Sequence, residues 1–359
     1  MGCRSAALPP PSPPDDAGAG APADASSAGD ALPPVRDLDL LFMIDNSASM
    51  QEEQQNLIRN FPVLMDELKK IKGGLPNLHV AVVTSDLGAG SQPLSNGGCP
   101  RPGGDRGIFQ TKPACGLFSN ANFIVSADNG TSNNFQGDIA DVFRCAASVG
   151  TVGCGYEHQL QATRVALYES ITPENRTFLR RDAFLAIVLI TDEDDCSADP
   201  SSDLFEDDAS FPGTTGSFRC AQVGHLCSGL APPVAEFQVP LASCTDNPAG
   251  RLIKVKDVVD SIRALKADPD RQIFAAGIFG WPVDDINPQY RYVRAPAGPN
   301  GQIDYAAICQ SANGSATAGL RLKRFVDSFG ANSSFASICQ NDFRPALQLI
   351  GQRLGAMVR

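Results

Sequence analysis

The sequence predicts an α/β domain in which a doubly wound, mostly parallel sheet is flanked by helices and carries long, disulfide-stapled insertions. Three observations predict it. The runs Asp37–Asp45, Leu78–Thr84 and Ala183–Ile190 are short and almost unbrokenly apolar, as strands buried on both faces are. Between the first two, apolar residues recur at steps of three and four, the period of a helix. Strand, helix and strand in that order make a βαβ unit, whose strands pair in parallel.

The helical stripe consists of Leu57, Ile58, Phe61, Leu64, Met65, Leu68 and Ile71. Pro62 interrupts it and is expected to kink the helix, because it has no N–H for the carbonyl of Ile58. Further on, a helix is expected through Leu160, Val165, Ala166 and Leu167, an amphipathic helix over Ile253–Leu265 and a parallel strand over Gln272–Phe279. Phe343, Leu347, Ile350 and Leu354 suit a closing helix. The domain is thus expected over residues 38–359, with insertions at about 88–150 and 196–250.

Residues 1–37 precede that domain. They are rich in Pro and Ala and bury too little apolar surface to offset their conformational entropy, so they read as a disordered tether. The net charge of −11 is carried by this tail and by an acidic stretch over 192–208 that holds no Lys or Arg. A nucleic-acid binder needs a basic face, and nothing in this balance supplies one. No apolar run approaches the ~20 residues that span a bilayer.

Eleven cysteines require a chemical explanation. Ten lie in the globular part: Cys99, Cys115, Cys145, Cys154, Cys196, Cys220, Cys227, Cys244, Cys309 and Cys339. Clustered CxxC pairs of the kind zinc needs are absent, and an even count suits disulfides formed in an oxidising compartment; zinc and reduced buried thiols stand as alternatives. Short loop closure favours neighbours, giving Cys99–Cys115, Cys145–Cys154, Cys196–Cys220, Cys227–Cys244 and Cys309–Cys339 as the expected pairs, although sequence alone fixes no connectivity. Cys3, alone after Gly2 and before the tether, resembles the processed end of a bacterial lipoprotein. No basic and apolar signal regions precede it, which is reconciled if Met1 is an internal methionine; an unmodified cysteine in the tail is the other reading.

The first strand runs into Asp45-Asn46-Ser47-Ala48-Ser49, and the third ends in Thr191-Asp192. Oxygen side chains spaced two residues apart over a strand end can converge on one hard cation. With neutral hydroxyls and few carboxylates, Mg²⁺ keeps waters and can accept an acidic oxygen from a partner. The alternative role for Ser47 and Ser49 is to cap the helix that follows. Asp-x-Ser-x-Ser followed by a later strand ending in Thr-Asp resembles the metal-ion-dependent adhesion site of von Willebrand factor A (VWA) domains, and the order of elements resembles that VWA/Rossmann-like fold over residues 38–359. The stretches Ile190–Ser197 and Gly153–Glu157 are similar to those of cysteine-rich VWA lipoproteins of Gram-negative bacteria.

The resemblance implies Mg²⁺ (or Mn²⁺) held by Asp45, Ser47, Ser49 and Asp192. It departs at two places. Glu193 stands where Thr-Asp-Gly has its glycine, and the position of the family's further Thr falls on Cys154. Thr151 or Glu157 would then supply the missing oxygen, and Asp86, just past the second strand, is a further rim candidate beside its role as a turn former. The implied function is an exported, lipid-anchored module at the outer membrane, periplasm or cell surface that binds a protein or matrix ligand through the cation, with an acidic residue of the ligand as the implied contact. Two other classes stand beside it: a secreted hydrolase, and a metal-free VWA scaffold for assembly. The hydrolase lacks GxSxG and HExxH, and only His79, His158 and His225 could serve it. No phosphate-approaching glycines follow the first strand, which excludes a dinucleotide site there.

Overall fold

A computed structural model describes residues 36–90, 98–118, 120–205, 211–283, 287–294 and 303–358. Cys3 and the expected tether up to residue 35 lie outside them. The chain begins with β1 (Asp37–Ile44), α1 (Gln51–Lys69) and β2 (Asn77–Thr84). The first insertion contributes β3 (Ile124–Ala127), β4 (Ser132–Asn133) and α2 (Ile139–Ala147). Then come α3 (Gln159–Leu167) and β5 (Phe184–Thr191). The second insertion holds α4 (Gly216–Gly224), β6 (His225–Cys227), β7 (Phe237–Pro240) and β8 (Cys244–Asp246). The chain returns through α5 (Val255–Arg263), α6 (Pro269–Gln272) and β9 (Ile273–Phe279). A third excursion follows, with β10 (Gln289–Arg294), β11 (Ile303–Tyr305), β12 (Cys309–Ser311) and β13 (Gly314–Ala316). α7 (Leu320–Asp327), β14 (Ser333–Ser337) and α8 (Arg344–Met357) complete the domain.

Seven strands form one sheet in the order β14-β9-β5-β1-β2-β3-β4. The first five are parallel, and the antiparallel β3 and β4 close the other edge. Both faces are covered. Leu38, Leu40, Phe42 and Ile44 of β1 pack with α1, α2 and α8, while Leu41 and Met43 face α3, α5 and α7. Phe61 stacks on Phe143 with centroids 3.6 Å apart, locking α1 to α2 over Phe42. This two-sided burial is why the central strands read as continuous apolar runs.

α1 continues through Pro62, which lies on its exposed face, where the carbonyl it leaves unpaired can turn to water. β14 and the β7-β10-β11 sheet were not expected, because the short, polar Ser333–Ser337 carries no strand pattern and the third excursion is broken by prolines and glycines. The disulfides are Cys99–Cys154, Cys115–Cys145, Cys196–Cys220, Cys227–Cys244 and Cys309–Cys339. The last three match expectation; Cys99–Cys115 and Cys145–Cys154 are replaced. Loop closure penalises a longer loop only logarithmically, so the tertiary path decides. Residues 98–118 fold back over the sheet end, where the Gln110 amide donates to Val82 and Gly107 packs on Val165 of α3. That path sets Cys99 beside the start of α3 and Cys115 beside α2. The five bridges fit an extracellular or cell-envelope protein. Among the described residues, no helix is long and apolar enough to cross a membrane.

Candidate metal centre

The carboxyl ends of β1, β2 and β5 lie side by side, and the turns leaving them gather their polar residues at one rim. The turn after β1 is folded by Asp45 itself, whose Oδ1 accepts the Ser47 amide at 2.8 Å. The same oxygen accepts the Ser85 hydroxyl at 3.1 Å, and Oδ2 accepts the Thr191 hydroxyl at 2.6 Å. Asp45 is therefore held from three strand ends and fully buried. Ser47 and Ser49 lie with their hydroxyl oxygens 3.3 Å apart. α1 starts after Met50, which offers no side-chain cap, so the helix does not draw on these serines as an N-cap. Ser49 instead lies beside Asp192 and favours its ionised form, while Asp192 Oδ1 is sealed from water without a hydrogen-bond partner.

The loop before α3 closes over this turn. Gly153 donates its amide to the Asn46 carbonyl, His158 to that of Ser85, and Gln54 of α1 donates its side-chain amide to the carbonyls of Asp45 and Gly150. A Cβ on Gly153 would lie 2.2 Å from Asn46 Oδ1, so a larger residue there would have to displace the Asn46 side chain. Thr151 sits half-buried in this loop, and Cys154 is committed to Cys99. Glu157 is buried close enough to Glu193 for each carboxyl to act on the other. Gln159 supports the site from behind, donating to Thr191 Oγ1 at 3.0 Å. Asp86 turns away: its carboxylate accepts the Gly88 amide and pairs with Arg101 at 3.0 Å, the turn-forming role.

The electrostatics are one-sided. Burial pushes the Asp45 carboxyl up against its hydrogen bonds, and pushes Asp192 well above the carboxylate range with the charges of Asp45 and Glu193 adding to it. Glu157 is raised well above its usual value by burial, then by Glu193 and Asp45. Glu193 is raised to about 7 by burial, then by Asp304 of β11 and by Asp45. No Lys or Arg is among the leading influences on any of the four. The next two residues behave differently. Asp194 accepts the amides of Arg321 and Leu322 at the start of α7 and pairs with His225 at 2.7 Å. Asp195 pairs with the Arg321 guanidinium and accepts the Leu160 amide of α3. The acidic run thus divides into two helix-capping carboxylates held by hydrogen-bond and ionic partners and two that have no cationic partner among the described residues.

Sequence reasoning missed Ser85, Gln54, Gln159, Glu53 and Asp304. Ser85, adjacent to the β2 terminus, was accessible to a strand-end argument; the others come from elements whose packing no local pattern announces. Glu53, on the first turn of α1, is buried with Oε2 unpartnered, and burial raises it to about 7, with Glu52 and Asp45 adding. The histidines are otherwise engaged. His79 bonds the Phe178 carbonyl, His158 is buried beside Phe205, and His225 lies between Asp194 and Tyr290.

The donor set suits a hard cation in kind: carboxylate and hydroxyl oxygens, one of them an orphaned carboxylate oxygen. Among the described residues no group of three or more His, Cys, Asp or Glu side chains could hold a metal, so any ion here depends on the serine hydroxyls and water. No protein-family model matches the chain, and no curated protein does. Among solved structures it is similar to BatB from Bacteroides thetaiotaomicron at 10% identity, covering 89% of this chain and 98% of that one, with a TM-score of 0.33. An aerotolerance-related membrane protein from Bacteroides fragilis matches at 12% identity over 89% and 100%, TM-score 0.33. The pilus adhesin RrgA from Streptococcus pneumoniae matches at 11% over 89% and 44%, TM-score 0.34. At these identities and scores the likeness says nothing of function.

Proposed function

We propose that this protein is an exported binding module whose rim holds one Mg²⁺ or Mn²⁺ through Asp45, Ser47, Ser49 and Asp192, and that a protein or matrix ligand is bound through that ion. The reading is carried by one observation: Asp192 Oδ1 is buried without a partner beside buried Asp45, and among the described residues no basic side chain pairs with either. A buried, uncompensated carboxylate costs several kcal/mol, and a divalent cation removes that cost for two at once. Ser47 and Ser49 supply neutral oxygens, and water completes the coordination. The ion would give the ligand a Lewis-acidic point of attachment; the chain's part is to fix Asp45 from three strands and to expose Ser49 at the opening. Lipidation at Cys3 would attach the module to a membrane, with the Pro/Ala-rich segment as spacer.

Calorimetric titration of the full chain with Mg²⁺ and Mn²⁺ tests the centre. Millimolar or tighter binding is expected, lost in Asp45→Ala and Ser47→Ala while circular dichroism stays unchanged. A natural protein that binds neither ion would leave the serines with a purely structural role.

A further inference from the structure

At the amino ends of the strands, opposite the acidic rim, α1 and α8 run side by side and finish together. Their contact is close because α8 presents glycines: a Cβ on Gly351 would lie 2.5 Å from Glu67 Cβ, and one on Gly355 would lie 3.3 Å from Ile71. Beyond this contact a groove of about 750 Å³ opens. Ile71 and Val358 give it an apolar floor, and Arg36, Lys70 and Lys72 are the basic side chains along it. The Arg36 guanidinium holds the following turn by donating to the carbonyls of Gly73 and Gly74, while its Nε is buried with no acceptor. Lys70 pairs with Glu67 at 2.7 Å yet remains two-thirds exposed, and Lys72 is exposed with no ion pair described. In a chain of net charge −11, the lining of this groove sets three basic side chains against one acidic one, Glu67.

The position matters as much as the charge. Arg36 is also the residue through which segment 1–35 joins the domain. Eight-residue strands separate the groove from the acidic rim by about 25 Å. We propose that this groove is a docking surface for an anionic phospholipid bilayer, with the exposed Lys70 and Lys72 at its rim on headgroup phosphates and Arg36 adding its charge beside them. Docking there would turn the strand ends bearing Asp45 and Asp192 away from the membrane. The same net-negative chain approaching by its acidic rim would be repelled. The proposal does not depend on acylation or on the metal.

The test uses the full chain as Cys3→Ser, so that no acyl group contributes, with vesicles of phosphatidylcholine alone or with 30 mol% phosphatidylglycerol (a composition of about one anionic lipid in three, chosen for a moderate surface potential). Co-sedimentation with the anionic vesicles and not the neutral ones is expected, weakening as salt rises. Lys70→Gln/Lys72→Gln should lower the partition about 25-fold, from about fivefold per basic residue near such a surface. Lys256→Gln, on exposed α5, should leave it unchanged. Circular dichroism verifies that the variants fold. Glycerol phosphate at millimolar concentration should compete weakly; complete competition would mean the groove takes a free phosphate compound rather than a bilayer, which overturns the proposal. Equal binding to both vesicles, or anionic binding indifferent to Lys70 and Lys72, would overturn it too.

Discussion

Replacing Glu53 by Gln separates a carboxyl that belongs to the acidic rim from one that merely starts a helix. Glu53 sits on the first turn of α1, where a carboxylate is ordinarily favoured by the helix dipole. Here it is buried, its Oε2 has no partner, and its Oε1 closes on Gly314 of the β12–β13 hairpin. Its carboxyl is raised from 4.5 to about 7, first by burial, then by Glu52 and Asp45. A carboxyl with a raised folded value keeps its proton longer in the folded state than in the unfolded chain. Below about pH 4.5 the group costs nothing; as pH rises toward 7 the cost grows, and above 7 it is complete. At 1.36 kcal/mol per pH unit the shift would amount to about 3 kcal/mol, and screening by water near the helix start reduces this to on the order of 1–2 kcal/mol. Glu53→Gln keeps shape and removes the charge. Urea unfolding, with the disulfides intact and without divalent cations, should show it more stable by on the order of 1–2 kcal/mol at pH 8 and nearly unchanged at pH 4.5. Saturating Mg²⁺ at pH 8 should shrink the gain, because a cation at Asp45 cancels part of the field acting on Glu53. A gain equal at both pH values, or a loss at pH 8, would refute the reasoning.

Two further outcomes follow from other parts of the molecule. Asp194→Ala leaves His225 and the amides that start α7 without their acceptor in a buried setting, so urea unfolding should show a loss of about 3–5 kcal/mol; Asp199→Ala, exposed in the same acidic run, should stay within about 0.5 kcal/mol, and equal effects would contradict the division of that run. Export and acylation at Cys3 predict incorporation of a fatty-acid analogue into the natural chain and none into Cys3→Ser; equal labelling of both would exclude the anchor.

The sequence by itself determined the parallel core and the address of the rim. Runs such as Leu38–Ile44 and Leu185–Ile190 are apolar on both faces because helices cover both, and that demand is written residue by residue. Asp45, Ser47, Ser49 and Asp192 could be placed together because each abuts a strand end, and parallel strands bring their ends to one side. Local information stops there. Whether Cys154 meets Cys145 or Cys99 depends on the path of residues 98–118 across α3, which loop length barely constrains. Why Asp194 and Asp195 have side-chain partners that Asp192 and Glu193 lack depends on Arg321 and His225, distant in sequence and brought in by separate elements. Composition counts charges along the chain; only the tertiary structure decides which of them face one another out of water, and there a carboxylate's cost is set by its neighbours in space.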